Sequence, residues 1–496
     1  MTFQPSGFDP HIHASSELGI PLRSIYDTLV YRDPTTQTFV PGLASNWTIS
    51  SDGREYTFTL KPGVTFHDGT PFNAAAVGAN LDRITNPATG SQKALFLLGN
   101  YAGYTIVDDL TLRITLSEPY SPLLDSLSQV YLGIASPSAL AMYSNERYQF
   151  HQVGTGPFVF VEYVPGDRLV LRRNPNYAWG PVFYAQTGLA GIDEIEFRFF
   201  TDPAARALAL EGGESDVMGE LLPLDARTLS ASSTSAAVEP VTIPGQPLQF
   251  IMNTAQFPTD ELVVRQALIV GADREAIIDA IFQRFSPVAW GPLSSATPYY
   301  NADLEGAYSF DPAAARDALA SIGYVDGNND GIAERDGAEL EIRMIAPTWG
   351  LIPETAQLLE AQWRDIGIRT SIVQVPSRTA LLEEVATGAY NLVAWYEFGA
   401  DPVILNRYFT SSGDLNWTRF NSSELDGLLA EAARQSDDNA RRSLYYQSQL
   451  QIMEQALILP IRDYVNLNGY RRSLSEISFD AYGWFPLLPN FVLSGN

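Results

Sequence analysis

The stretch AWYEFGADP, Ala394 to Pro402, sets a Trp, a Tyr and a Phe around one Glu and then breaks into Gly-Ala-Asp-Pro. Aromatic faces stack on or enclose a ligand, and carboxylates accept its donors or meet its charge. Trp395, Tyr396, Glu397, Phe398 and Asp401 are therefore candidates for ligand contact, against the alternative that the rings only pack a core. No Arg or Lys lies within the stretch. That absence favours a neutral, zwitterionic or cationic partner over a polycarboxylate.

Other residues with chemical potential fall short of a complete motif. DGNNDGIAERDG places Asp326, Asn328 and Asp330 at positions one, three and five of a calcium loop and Gly331 at six. Position twelve, where a bidentate carboxylate belongs, is Gly337, so a polar turn is expected. His11, His13, His67 and His151 include one His-x-His pair without an evident third ligand, and no metal role is assigned to them. GTGPF offers Gly154 and Gly156 but leads into the alternating FVFVEYV, which is no dinucleotide fingerprint. Nucleophile elbow, Walker loop and HExxH patterns are all missing, so no cofactor is expected and a hydrolase, the rival class, has no catalytic constellation.

Bulk properties narrow the partners. The balance of 57 Asp plus Glu against 31 Lys plus Arg gives a formal charge of −26, which repels phosphate backbones and anionic lipid. Nucleic acid is thereby excluded as a partner. There is no cysteine, so disulfides and thiolate metal sites are ruled out. No run reaches the ~20 apolar residues of a membrane span. The start MTFQPSGFDPHIH lacks a basic region followed by an apolar one, so the chain is expected either to be cytosolic or to have lost a signal segment.

The elements that must position these residues follow from periodicity. ELEIRMIAPTW begins as a strand, and PETAQLLEAQWRDIG is helical, with Leu358, Leu359, Trp363 and Ile366 on one side and Gly367 at its end. IRTSIVQV, SRTALLEEVAT and YNLVAW complete a βαβαβ order, which implies parallel strands. Ligands bind outside the carboxyl ends of such strands, and the third ends in AWYEFGADP, whose tail from Glu397 onward is expected to be loop. DEIEFRFF, DPAARALALEGG and SDVM suggest a second unit of the same kind. VTIPGQPLQFIMN suits a crossover between two lobes, and LILPIRDYVNLNGY a return. REYTFTLKPGVTF and YTIVDDLTLRITL alternate around a helix from about Ala75, as in a smaller α+β subdomain.

In order along the chain, FDPH, IYDTLVYRD, PGLASNWTISSDGREYTFTLKPGVTFHDGTPFNA, VGTGPFVFVEY, RNPNYAWG and NTAQFPTDELVVRQAL resemble the family 5 extracellular solute-binding proteins of ABC importers. The resemblance covers nearly the whole chain. It implies an α/β, two-lobed periplasmic-binding-protein fold, type II-like, with an additional α+β subdomain in the N-terminal lobe. The corresponding expected boundaries are 1–45, 160–245 and 462–496 for lobe I, 46–159 for the subdomain and 246–461 for lobe II. It further implies a non-enzymatic monomer that closes around a small solute and delivers it to the membrane permease. The location it implies is extracytoplasmic, periplasmic or cell-surface, after a lipoprotein or secretory signal absent from this chain.

The same resemblance implies site residues. Dipeptide binders carry an Asp three residues after the Trp equivalent to Trp395; here that place is Phe398, with Glu397 or Asp401 as substitutes. Nickel-chelate binders carry an Arg just before a segment like IASPS, where this chain has Gly133. His13, Glu17 and Leu18 fall in the N-terminal loop that faces the ligand in the family, and Trp417 follows the turn of FTSSGDLNW. A peptide is the first expected ligand, an oligosaccharide the second and chelated nickel the third.

Overall fold

The computed structural model describes residues 1–2, 7–184 and 190–493. The chain divides into two units: Met1–Val241, Ala433–Ser436 and Asn466–Asn496 form unit 1, and Thr242–Ala432 with Asp437–Val465 form unit 2. Besides the short excursion at Ala433–Ser436, the chain changes unit after Val241 and after Val465, where 245/246 and 461/462 were expected.

In unit 1, α1 (Gly19–Ile25) precedes the sheet of β1 (Ala44–Ile49), β2 (Glu55–Leu60), β3 (Tyr101–Asp108) and β4 (Thr111–Leu116), in the order β1-β2-β4-β3. Alternation decides its faces: Tyr56, Phe58 and Leu60 of β2 and Leu112, Ile114 and Leu116 of β4 are buried. Between β2 and β3 runs α2 (Ala74–Thr85), started by the Asn73 side chain, which accepts from Ala76 N at 2.9 Å. It buries Ala74, Val77, Leu81 and Ile84, a stripe at helical spacing.

β5 (Phe158–Val164), β6 (Arg168–Arg173) and β7 (Glu194–Arg198) form an antiparallel meander. DPAARALALEGG folds as read, into α3 (Pro203–Gly212), with Asp202 capping Ala204 N at 3.0 Å and Gly213 left-handed at φ +78°. The expectation of a second βαβ unit here is corrected. β7 belongs to the meander, whereas β8 (Val217–Met218) lies in another sheet with β9 (Ala236–Thr242), so no parallel pair joins the strands on either side of α3.

Unit 2 holds one five-stranded sheet. Its strands are β10 (Gly245–Met252), β11 (Glu341–Pro347), β12 (Arg369–Val375), β13 (Leu392–Phe398) and β14 (Ile458–Arg462), in the order β12-β11-β13-β10-β14. β11 pairs in parallel with β12 and β13, the crossovers being α4 (Ile352–Arg364) and α5 (Arg378–Ala386), as the βαβαβ pattern requires. β10 is antiparallel to β13 and β14. Two buried clusters cover the two faces: Leu392 and Ala394 enter one with Phe250 and Trp363, Val393 and Trp395 the other with Ile251 and Tyr408. The chain then returns to unit 1 as β15 (Val465–Arg471), the middle strand of β8-β15-β9.

One buried carboxylate ties the quoted unit 1 motifs together. Asp27, 1% exposed, accepts through Oδ1 from Tyr31 Oη at 2.6 Å and Tyr177 Oη at 2.9 Å. Its Oδ2 accepts from Thr155 Oγ1 at 2.9 Å and Trp179 Nε1 at 3.1 Å. The glycines flanking Thr155 allow this approach: a Cβ at Gly154 would lie 2.0 Å from Ile25 O, and one at Gly156 2.5 Å from Ser24 O. Gly156 N instead donates to Ile25 O at 2.9 Å, satisfying a carbonyl at the end of α1. Asp27→Ala leaves four donors without their acceptor and is expected to cost at least about 3 kcal/mol. Asp27→Asn, which keeps one acceptor oxygen, should cost less. Urea unfolding followed by tryptophan fluorescence measures both.

Candidate functional site

β13 runs further than its sequence suggested. The ladder pairs Gly245 with Phe398, Gln246 with Glu397 and Gln249 with Trp395, so Glu397 and Phe398 are strand residues and the loop begins at Gly399. Two conditions permit the extension. Gly245 has φ +127°, and a Cβ there would meet Glu397 O at 2.3 Å, so only glycine closes the pair. Pro247, which cannot donate to a ladder, falls inside the bulge between Gln246 and Gln249.

Extended backbone to Phe398 sorts the cluster onto two faces. On one, Trp395 Nε1 donates to Tyr408 Oη at 2.7 Å, and Tyr408 Oη donates in turn to Glu397. Arg407 joins Glu397 at 3.2 Å and Asp414 at 2.6 Å; both Arg407 and Tyr408 come from α6 (Leu405–Phe409). Trp417 meets Trp395 edge-on at 5.4 Å between ring centres. Burial and the neighbouring Glu397 hold the Tyr408 hydroxyl well above its ordinary pKa, so it stays a donor.

The other face presents the half-buried rings of Tyr396, Phe398 and Tyr464. Their centres are 5.3 Å apart for Tyr396–Phe398, 5.2 Å for Tyr396–Tyr464 and 4.8 Å for Phe398–Tyr464. Beneath them the guanidinium of Arg462, 5% exposed, lies between the rings of Phe282, at 3.9 Å, and Tyr464, at 4.7 Å. Its Nη1 donates to Ser286 Oγ at 2.9 Å, while Nε has no hydrogen-bond partner among the described residues. Burial lowers its pKa to about 10, which leaves it charged at neutral pH. Exposed Arg378, the first residue of α5, lies 5.6 Å from the ring of Trp395.

The candidates read from sequence are thus placed differently from one another. Tyr396, Glu397 and Phe398 are half-buried at the end of β13. Trp395 and Trp417 are 8% and 5% exposed and pack against each other there. Asp401, 6% exposed, pairs with Arg441 at 2.8 Å and caps Val403 N at 2.9 Å, so its carboxylate is engaged within the unit. In unit 1, Leu18 is wholly buried core. Glu17, 1% exposed, accepts from Thr2 N at 3.1 Å and Thr2 Oγ1 at 2.9 Å, and burial followed by Glu220 raises its pKa to about 7. His13 is half-buried, and burial lowers its pKa. The two histidines of the pair differ: His11 is buried, with Nε2 on Gly133 O and Nδ1 on Arg83 Nη1, both at 2.9 Å. Burial, then Arg83, lowers its pKa to about 4. The residues of DGNNDGIAERDG turn inward, Asp326 accepting from Asp330 N at 3.2 Å and Gly331 N at 3.0 Å.

Arg407, Tyr408, Arg462 and Tyr464 escaped the sequence reading, and they alter its electrostatics. The stretch itself lacks Arg and Lys, but the fold brings three guanidiniums to its edge and neutralises Glu397 with one of them. The inference against carboxylate ligands is therefore withdrawn.

Two measurements follow. Tyr408→Phe removes the hydroxyl between Trp395 and Glu397 and is expected to cost about 1–3 kcal/mol, read by chemical denaturation. Asp463, next to Arg462, has its pKa raised by burial to about 6. Because its folded value lies above its unfolded one, its stabilising contribution is complete below about pH 4 and is lost as pH rises through 6. Asp463→Asn removes that loss. Its stability relative to the parent should therefore improve between pH 4.5 and 7.5, by about 1–2 kcal/mol.

Comparison with known proteins gives a consistent result. The family model for bacterial extracellular solute-binding proteins, family 5 Middle, matches residues 38–417. The glutathione-binding protein GsiB of Salmonella typhi is 30% identical over 434 residues, which cover 84% of this chain and 79% of that protein. Heme-binding protein A of Haemophilus influenzae is 30% identical over 515 residues, covering 96% and 90%. Among solved structures, NikA from Brucella suis in complex with Fe(III)-EDTA superposes with a TM-score of 0.88 at 24% identity, over 100% of this chain and 99% of that one.

Proposed function

This chain belongs to the bacterial extracellular solute-binding proteins of family 5, and on that premise we propose that it captures a short peptide bearing a free carboxylate. The class is plain: a substrate-binding component of ABC import, acting outside the cytoplasm, on the family's two-lobed α/β fold. No helix of the described residues is long and apolar enough to cross a membrane. In this reading the protein acts as a monomer, is anchored or exported by a signal segment, and hands intact solute to its permease without a covalent step.

The observation that carries the peptide reading is the end of β13. Half-buried Tyr396, Phe398 and Tyr464 offer apolar and stacking surface over the guanidinium of Arg462, while on the other face of the strand Arg378 lies against Trp395 and the carboxylate of Glu397 is already partnered by Arg407. Aromatic side chains with a cation suit a backbone flanked by a carboxylate. The relative named for glutathione, itself a small peptide, supports this choice. A second reading is favoured by the same cations: a carboxylate chelate of a metal ion, of the kind bound to the similar Brucella suis structure. Glu17 and His13 of unit 1 stay in the proposal as contacts to be tested singly. We also read the passages 242–245 and 462–465 as a hinge, so saturating solute should lower the radius of gyration in X-ray scattering.

Native mass spectrometry of the protein as purified, followed by thermal shift with free-acid peptides, their C-terminal amides, oligosaccharides and Fe(III)-EDTA, decides among these. Free-acid peptides should raise the melting temperature more than their amides. Phe398→Ala should weaken peptide binding by about 1–3 kcal/mol, roughly five- to 150-fold. An oligosaccharide or a chelate as the sole tight ligand would sink the peptide reading.

A further inference from the structure

β10 and β14 separate at the end of the unit 2 sheet that carries the aromatic cluster. Their ladder runs from Ile251 opposite Ile458 to Leu248 opposite Arg462. Beyond it Arg462 bridges to Val288, and Asp463 N donates to Pro287 O at 3.0 Å. The two segments meet again where Ile243 N donates to Tyr464 O at 2.8 Å. Gly245 and Asp463 lie on opposite sides of the gap between these points, and the turn 294–297 fills it.

The turn closes on itself, Thr297 N donating to Ser294 O at 2.8 Å, as Ser, Thr and the following Pro298 favour. Toward β10, Gly245 N donates to Thr297 Oγ1 at 2.8 Å, and Gly245 O accepts from Ser294 N at 2.8 Å and Thr297 Oγ1 at 3.2 Å. Toward the end of β14, Asp463 Oδ2 accepts from Ser295 N at 2.9 Å and Ser295 Oγ at 2.5 Å. Gly245, Ser294, Thr297 and Asp463 are all buried, so bulk water does not replace a bond that is lost here. The turn is also fixed from behind by α7 (Asp438–Glu454): Tyr299 Oη donates to Asp438 Oδ1 at 2.5 Å, and Gln449 Nε2 donates to Tyr299 O at 2.7 Å.

Each segment that the turn holds carries one half of the aromatic cluster. Gly245 pairs with Phe398, and Asp463 stands between Arg462 and Tyr464 in the chain. We propose that the turn 294–297 sets the two halves of the cluster against each other, Phe398 through Gly245 and Tyr464 through Asp463, and that Thr297 is a positioning residue for solute recognition. One hydroxyl serves both backbone groups of Gly245, which makes Thr297 the member of the turn on which the Phe398 half depends. The inference rests on the reading that the end of β13 receives the solute.

The test compares Thr297→Val, which keeps the shape and removes the hydroxyl, with Thr297→Ser, which keeps the hydroxyl. Thr297→Val should speed hydrogen exchange about tenfold or more at the Gly245 amide and also at Gly399, whose N donates to Pro244 O at 3.1 Å; Thr297→Ser should restore both. The milder Ser295→Ala should speed exchange at Ile243, the amide bonded to Tyr464 O. With glutathione as the free-acid probe, Thr297→Val should weaken binding about fivefold or more, and should add nothing once Phe398→Ala is present. Faster exchange confined to Gly245, unchanged exchange at Ile243 in Ser295→Ala, or a Thr297→Val penalty that persists in full beside Phe398→Ala would overturn the proposal. Parental glutathione affinity in Phe398→Ala would instead sink the reading of the β13 end as the solute site, and exchange at Gly399 and Ile243 would still decide whether the turn sets the cluster.

Discussion

The arrangement at the end of β13 depends on one backbone contact, the pairing of Gly245 with Phe398. A side chain at 245 would strike the carbonyl of Glu397, and the positive φ would be strained for any other residue. Without that pair the ladder would stop at Glu397, leaving Phe398 without the alternation that puts it beside Tyr396 and opposite the carboxylate. The adjoining bulge matters for the same reason. It absorbs Pro247 into a central strand and restores the register within three residues. The placing of side chains at this edge is thus a consequence of main-chain geometry in a neighbouring strand, about 150 residues away in sequence.

Unit 1 is organised around a different kind of constraint. Asp27 is a buried carboxylate whose four donors come from three separate segments, and the glycines beside Thr155 exist so that the GTGPF loop can reach it. A buried carboxylate is tolerated only when its lone pairs are taken up, which makes the node an all-or-nothing arrangement. This gives a physical reason for the co-occurrence of IYDTLVYRD, VGTGPF and NPNYAW in one chain: they are the parts of one hydrogen-bonded cluster.

Much of the fold was legible because it is written in local periodicity. The βαβαβ run, the capped helix after Asp202 and the alternation of β2 and β4 each depend on residues within one or two turns of themselves. The second parallel unit was misread because strand character in DEIEFRFF and SDVM says nothing about which sheet each strand joins. The candidate site was legible only in part. The crowding of Tyr396 and Phe398 can be read locally, but the partner of Glu397 sits ten residues on, upon a helix whose orientation no local pattern announces. Arg462 and Tyr464 arrive from the far end of the chain. Local absence of positive charge was therefore a poor guide to the field at the candidate site, since folding assembled that field from three segments outside the stretch.

The chain order of one small sheet also fixes an order of assembly. β8 and β9 flank β15, which follows them only after the whole of unit 2 has been made. A polypeptide growing from its N-terminus holds all five strands of the unit 2 sheet before the shared partner of β8 and β9 exists. Unit 2 is consequently free to reach its native state while unit 1 still waits for its closing strand. Chains stalled or truncated late in synthesis display edges in unit 1 that the finished fold pairs, and those edges are where holding chaperones or self-association would act.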